Sequence, residues 1–175
     1  MRIILLLITC CLIVSCIQTR TPPVQVTYGE RQSLYFTGRG SAAGIMMDSV
    51  LGGADVAIGI AIDEGIAKDI ESAIATNNPG FSMTAVVENV LHEHGKIEGL
   101  QSVIIDKYGF QAMPDDEVAP LIELQLIKNG GIVLKLKSSR DSTSSITFIQ
   151  AKTEGALAEQ QLSQEVKRLL THAFP

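Results

Sequence analysis

Residues 122–126 read Ile122-Glu123-Leu124-Gln125-Leu126, and after Asn129-Gly130-Gly131 and Ile132-Val133 the chain continues Leu134-Lys135-Leu136-Lys137. Both runs alternate apolar with polar side chains, the period of a strand with one face buried. Matching the apolar faces fixes the register, because a slip of one residue would turn every apolar side chain to water. A two-residue loop would set Leu126 opposite Val133 or place a lysine on the wrong face. A three-residue loop pairs Leu126 with Leu134 and Leu124 with Leu136. It also sets Glu123 across from Lys137 and Gln125 across from Lys135, favourable partners on the wet face. A glycine in the left-handed position suits such a loop.

Working outward, 100–105 and 108–113 read as strands around a break at Asp106-Lys107. The acidic turn Asp115-Asp116-Glu117 lacks the alternating ligand spacing of a calcium loop and reads as solvated. Downstream, the polar run 138–144 precedes a strand over 144–151. A helix from about Gly155 then turns Leu162, Val166, Leu169, Leu170 and Ala173 inward. Upstream, Asp63 reads as the cap of a helix with Ile66, Ile70, Ala73 and Ile74 inside, stopped by Asn77-Asn78-Pro79-Gly80. Ser82 reads as the cap of a second helix, with Met83, Val86, Val87, Val90 and Leu91 inside and Gly95 past its end. Val24, Val26 and Tyr28, with residues 34–37, predict a small hairpin or two edge strands. The expected fold is α+β: a two-layer sandwich of a mostly antiparallel sheet with helices on one face, because one-striped helices can cover one side of a sheet.

A Gly/Ala-rich helical or loop segment, residues 38–62, precedes this unit, with glycines at 38, 40, 44, 52, 53 and 59. Two readings compete for it. Gly40, Gly44, Gly52, Gly53 and Gly59 are the candidate face for membrane insertion or self-association, since small residues let helices approach closely. Against a monomeric span, Asp48 and Asp55 lie seven apart on one helical face, and each costs about 2.5–3.5 kcal/mol near mid-membrane. The plainer reading is a close-packed helical hairpin or loop turning at Gly52-Gly53.

Sites of chemistry are sparse. His92-Glu93-His94 falls near a helix end, where side chains two apart diverge, and no third metal ligand is visible. There is no Gly-x-Ser-x-Gly elbow, and Gly38-x-Gly40-x-x-x-Gly44 misses the spacing of phosphate and dinucleotide loops. The expectation is therefore not an enzyme, without metal or cofactor, the alternative being a site assembled from scattered carboxylates. Lys plus Arg number 14 against 19 acidic residues; losing Arg2 would take the net charge from −5 to −6. That balance lacks the footprint of a nucleic-acid binder.

Arg2 and the apolar run 3–13 lead into Ile13-Val14-Ser15-Cys16. A basic start, a short apolar core and a small residue before the cleavage point make a signal peptide. With a cysteine to follow, the segment resembles the bacterial lipobox. That resemblance implies removal of residues 1–15, a covalent lipid with palmitate-type acyl chains on Cys16, and a tether over 16–23. Residues 24–175 then form one periplasmic domain. Cys10 and Cys11 would leave with the signal, so the mature monomer holds no disulfide. Ile17 is not the aspartate linked to inner-membrane retention, which implies the periplasmic face of the outer membrane. Residues 81–174 also resemble, in architecture alone, ABC-transport auxiliary lipoproteins and the amino-terminal domain of TolB; this implies a fold and no site. The functional expectation is a non-catalytic accessory of envelope assembly or transport with an envelope protein partner, the rivals being insertion or self-association through 38–62 and an unrecognised envelope enzyme. The oligomeric state is left open.

Overall fold

The computed structural model describes residues 23–40, 55–95, 97–139 and 144–174. The expected signal, Cys16, the tether to residue 22, and Gly44, Asp48, Gly52 and Gly53 lie outside them. The described chain is α+β, a mixed six-stranded sheet with four helices. In order these are β1 (Gln25–Tyr28), β2 (Tyr35–Thr37), α1 (Asp55–Asn77), α2 (Met83–His94), β3 (Leu100–Ala112), β4 (Glu117–Lys128), β5 (Ile132–Lys137), β6 (Ile146–Thr147), α3 (Phe148–Thr153) and α4 (Gly155–Ala173).

Two long strands, β3 and β4, form the antiparallel spine. β1 and β2 follow one another along the outer side of β3, both parallel to it. They are thus two edge strands and not a hairpin. β5 and β6 share the outer side of β4, both antiparallel. The β4–β5 register is the one the alternation demands, with Leu126 against Leu134, Leu124 against Leu136, Glu123 against Lys137 and Gln125 against Lys135. Its loop is Asn129–Gly131, with Gly130 and Gly131 at φ 82° and 77°, the left-handed region where a Cβ is costly.

The break at Asp106-Lys107 does not divide two strands. Leu100–Ala112 is continuous, with a register shift between Ile105 and Lys107. The inserted residue bends the strand while pairing continues, as a β-bulge does. Asp106 uses its freedom to accept a 2.6 Å hydrogen bond from Gln125.

The core lies between the sheet and the helical layer. Val103, Ile105, Tyr108, Phe110, Ile122, Leu124 and Leu126 from the spine meet Ile70, Ile74, Val87, Leu162, Val166 and Leu170. These side chains are buried, and full burial of one such aliphatic side chain is worth about 1.5–3 kcal/mol.

Helix starts differ from expectation in two places. α1 begins at Asp55, so Asp63 lies inside it. The Asp63 carboxylate still caps, but for a different segment: it accepts the backbone N–H of Gly38 at 3.1 Å and of Gly40 at 2.7 Å. Ser82 holds the cap position of α2 without making the side-chain capping bond; its hydroxyl meets Thr84 at 2.6 Å. The expected strand 144–151 shrinks to Ile146–Thr147 and then becomes α3. Thr147 and Gln150 form a capping box there: Thr147 Oγ1 accepts the Gln150 N–H at 3.3 Å, and Gln150 Oε1 accepts the Thr147 N–H at 3.1 Å. Two orphan amides satisfied at once outweigh the strand preference of Ile146, Thr147, Phe148 and Ile149.

Candidate functional site

The sheet has two distinct ends. Gln25 pairs with Ser102, Leu100 with Lys128, and Lys128 with Ile132, so the start of β1, the start of β3 and the β4–β5 loop share one end. The β3–β4 turn and β6 mark the other, where Thr147 pairs with Glu117. α4 runs between them: it starts directly after α3 and finishes with Phe174, whose ring lies 4.7 Å from Lys128 Nζ.

A depression of about 1070 Å³ lies at the β6 end between α1, α3 and the start of α4. Gly155 lines it. A Cβ there would stand 2.0 Å from the Ala73 carbonyl oxygen, so only glycine lets α4 begin in backbone contact with α1. Asp69, Ser72, Thr76, Ile149, Thr153 and Gln160 are among its lining. Lys152 and Asp69 pair across it at 2.8 Å, and Asn78 donates to Glu159 at 3.1 Å nearby. Ile149 stands 61 % exposed on its rim. This mixture of one exposed aliphatic, hydroxyls and paired charges suits contact with a polar protein surface better than capture of a small apolar ligand.

The adjoining β3–β4 turn is unusually fixed. Asp115 and Asp116 both take positive φ, 59° and 62°, a conformation that costs a non-glycine residue energy and persists where the surroundings hold it. Here they do. Arg39 pairs with the Asp116 carboxylate, and the Asp116 carbonyl accepts the Phe148 N–H at 2.8 Å. The Arg39 guanidinium also covers the Phe148 ring at 4.0 Å, with Lys152 at 5.4 Å. The start of α3, and with it Ile149, is thereby held against the turn.

At the opposite end a recess of about 550 Å³ is lined by Pro23, Val24, Leu91, Ile97, Leu100 and Asn129, among others. Beside it Ile132, Val133 and Leu134 are 64 %, 47 % and 37 % exposed.

Of the residues the sequence nominated, Cys16, Gly44, Gly52 and Gly53 lie outside the described residues. Gly40 and Gly59 are brought together: a Cβ on Gly40 would stand 1.8 Å from the Gly59 carbonyl oxygen, and one on Gly59 2.7 Å from that of Gly40. Within one chain, these two glycines serve a backbone contact between α1 and the segment that Asp63 caps. His92 is exposed, Glu93 pairs with Lys167 at 3.1 Å, and His94 Nε2 meets Thr171 Oγ1 at 3.2 Å. Among the described residues no group of three histidine, cysteine or carboxylate side chains is placed to hold a metal, and no helix is long and apolar enough to cross a membrane.

Perturbed titrations have structural causes. Burial, then the neighbouring Tyr28, pushes the Tyr108 phenol well above its ordinary value, while its hydroxyl donates to the Gln32 carbonyl at 2.9 Å. The hydrogen bond from Lys137 holds the Glu123 carboxyl below its usual range, against a smaller opposing effect of burial. Glu165, 1 % exposed, receives both Nε and Nη2 of Arg168, at 2.8 and 2.7 Å, and raises the guanidinium pKa. Each describes a structural pairing.

The sequence reading missed Ile149 and the apolar tip of β5, and it placed the start of α4 at Gly155 without its contact with Ala73. Thr147-x-x-Gln150 was the available signal for the first, since it moves Ile149 from a strand to an exposed helical turn. Comparison with protein-family models, curated proteins and solved structures finds no match.

Proposed function

We propose that this chain is a lipid-anchored accessory protein of the bacterial outer membrane, acting by binding an envelope protein and not by catalysis. The observation that carries this reading is Ile13-Val14-Ser15-Cys16 behind a basic start and a short apolar core. Lipid on Cys16 supplies the membrane attachment that a net charge of −5 does not favour electrostatically. The groove between α1, α3 and α4 is the binding surface, with Ile149 as its apolar contact. Its place suits the task, because it lies at the end remote from Pro23, where the tether joins.

Two measurements test the reading. Intact mass and membrane fractionation beside a Cys16→Ser variant should give a mature chain starting at Cys16 with diacylglycerol and acyl chains, both lost in the variant. An uncleaved chain retained in the membrane defeats the anchor. A photo-crosslinking side chain at position 149 should then trap one envelope protein in intact cells, and the same group at the exposed Lys167 should not. Identical adducts from both positions would remove the groove from the proposal.

A further inference from the structure

We infer that the tip of the β4–β5 hairpin is a second membrane contact, in which Ile132, Val133 and Leu134 enter the interfacial layer of the bilayer that holds the lipid anchor. The inference rests on the anchored reading above, and its occupant is a lipid surface.

The first ground is placement. Leu100, Lys128 and Ile132 are successive partners across three strands, and Pro23 lines a recess with Leu100 and Asn129. Neighbouring strands stand about 4.8 Å apart, so the point where the tether joins the domain and Ile132 are separated by roughly 14 Å across the sheet. Seven residue steps separate Cys16 from Pro23, a reach of at most about 25 Å. The hairpin tip therefore stays within roughly 40 Å of the bilayer whenever Cys16 is lipidated, close enough to reach it.

The second ground is the chemistry of the tip. Three consecutive aliphatic side chains are substantially exposed. They point to both sides of the strand: Leu134 follows the face of Leu126, whereas Val133 pairs with Ile127 on the opposite face. A folded partner packed on one face would leave the other side wet, while a lipid interface surrounds the tip. Lys128, opposite Ile132, and Lys135, next to Leu134, ring the apolar residues with cations, the arrangement of an interfacial element whose charges remain at headgroup level. Pairing of β5 with β5 of a second copy would instead align strands that each carry Lys135 and Lys137, a like-charge pattern that discourages edge-to-edge association.

The chain contains no tryptophan, so a single introduced indole reports alone. Ile132→Trp and Ile149→Trp place it at exposed positions on opposite ends, and both tolerate bulk because both side chains face solvent. The lipidated proteins are reconstituted in vesicles of phosphatidylethanolamine and phosphatidylglycerol, with ordinary or brominated acyl chains. Brominated chains should quench the Ile132→Trp emission at least about twofold, as burial at the headgroup–acyl boundary demands, and leave Ile149→Trp nearly unchanged. Val133→Trp should behave as Ile132→Trp, which guards against a local disturbance at one position.

Equal quenching at 132 and 149 in protein whose mass shows the lipid overturns the membrane contact and leaves the anchor standing. Quenching at 132 in protein without lipid keeps the contact and removes the anchor. Loss of both lipid and quenching overturns both. An Ile132→Trp emission that shifts to the blue with protein concentration, without vesicles, assigns the tip to a second copy and overturns the lipid occupant.

Discussion

Alanine should act in opposite senses at two helical glycines, Gly65 and Gly155. Gly65 is exposed in the middle of α1, and a Cβ there meets nothing within 4 Å. The helix-propensity difference is then the whole effect, a gain of about 0.8–1 kcal/mol. Gly155 opens α4, where a Cβ would stand 2.0 Å from the Ala73 carbonyl oxygen, 2.5 Å from its carbonyl carbon and 2.8 Å from the Ile74 nitrogen. All three are backbone atoms of α1 and cannot rotate away. An ordinary C···O contact is about 3.3 Å, so the start of α4 must retreat by roughly 1.3 Å. Overpacking of this kind costs about 1–3 kcal/mol. Restricting the unfolded chain returns about 0.4–1 kcal/mol of that. The net expectation for Gly155→Ala is a loss of about 1–2 kcal/mol. Urea and thermal unfolding of the chain from Ile17 onward measure both variants, and each kcal/mol corresponds to roughly 2–4 °C for a domain of this size. Gly155→Ala matching or exceeding the parent in stability would refute the close approach of α4 to α1, and with it the shape of the groove.

The remaining predictions concern polar contacts. Lys137→Met should raise the midpoint at which Glu123 titrates by NMR, because the hydrogen bond from Lys137, 2.9 Å away, is the main cause of its depression. A depressed carboxylate stabilises the fold above the ordinary carboxylate range and loses that contribution as pH falls through its folded pKa; the deficit of the variant, below about 1 kcal/mol, should therefore close in acid. Thr147→Ala removes the box that starts α3 and should cost about 1 kcal/mol in chemical unfolding; an unchanged midpoint would assign that start to Phe148 and Arg39 alone. Arg168→Met strands the buried Glu165 carboxylate while removing a side chain that is itself 46 % exposed, and should cost about 1–3 kcal/mol. Adding Glu165→Met should recover most of it, and a double variant no more stable than the single contradicts the pairing.

What the sequence made legible depended on whether one local force acted alone. The hairpin 122–137 was readable to the residue because alternation, turn chemistry and charge pairing all selected one register. Lengthwise periodicity likewise placed the inward stripe of α4, though not its buried Gln161 and Glu165: Ser144, outside the helix, holds the first, and Arg168, one turn further along α4, holds the second. Where two signals competed, the reading slipped. Residues 146–149 are β-branched and aromatic, as in a strand, yet the capping box made a helix from Phe148 onward. Asp63 looked like a start signal because an aspartate before an apolar stripe usually is one, and its actual partners lie 23 and 25 residues earlier in the chain. The groove was invisible for a similar reason: it lies where Gly155 meets Ala73, a pairing of two helices that no local pattern encodes.

Under the proposed anchoring and binding, the same topology would let one small domain separate attachment from recognition. β1 enters at the edge of β3 parallel to it, so the tether joins at the start of β3 and beside the β4–β5 loop. β6 returns to the far part of β4, which delivers α3 and the start of α4 to the other end. The 19 residues of α4 then span about 28 Å back toward Lys128. A rigid element therefore sets the distance between the groove and the end of the sheet at Lys128. Under the proposed anchoring, Cys16 alone would hold the domain at the membrane but leave it free to tumble through the reach of its tether. Contact at Ile132–Leu134 would add a second point on the same end and so fix which way the groove faces. Affinity for the bilayer and orientation above it are then separate properties, the first residing in the lipid on Cys16 and the second in three side chains at the tip of one hairpin.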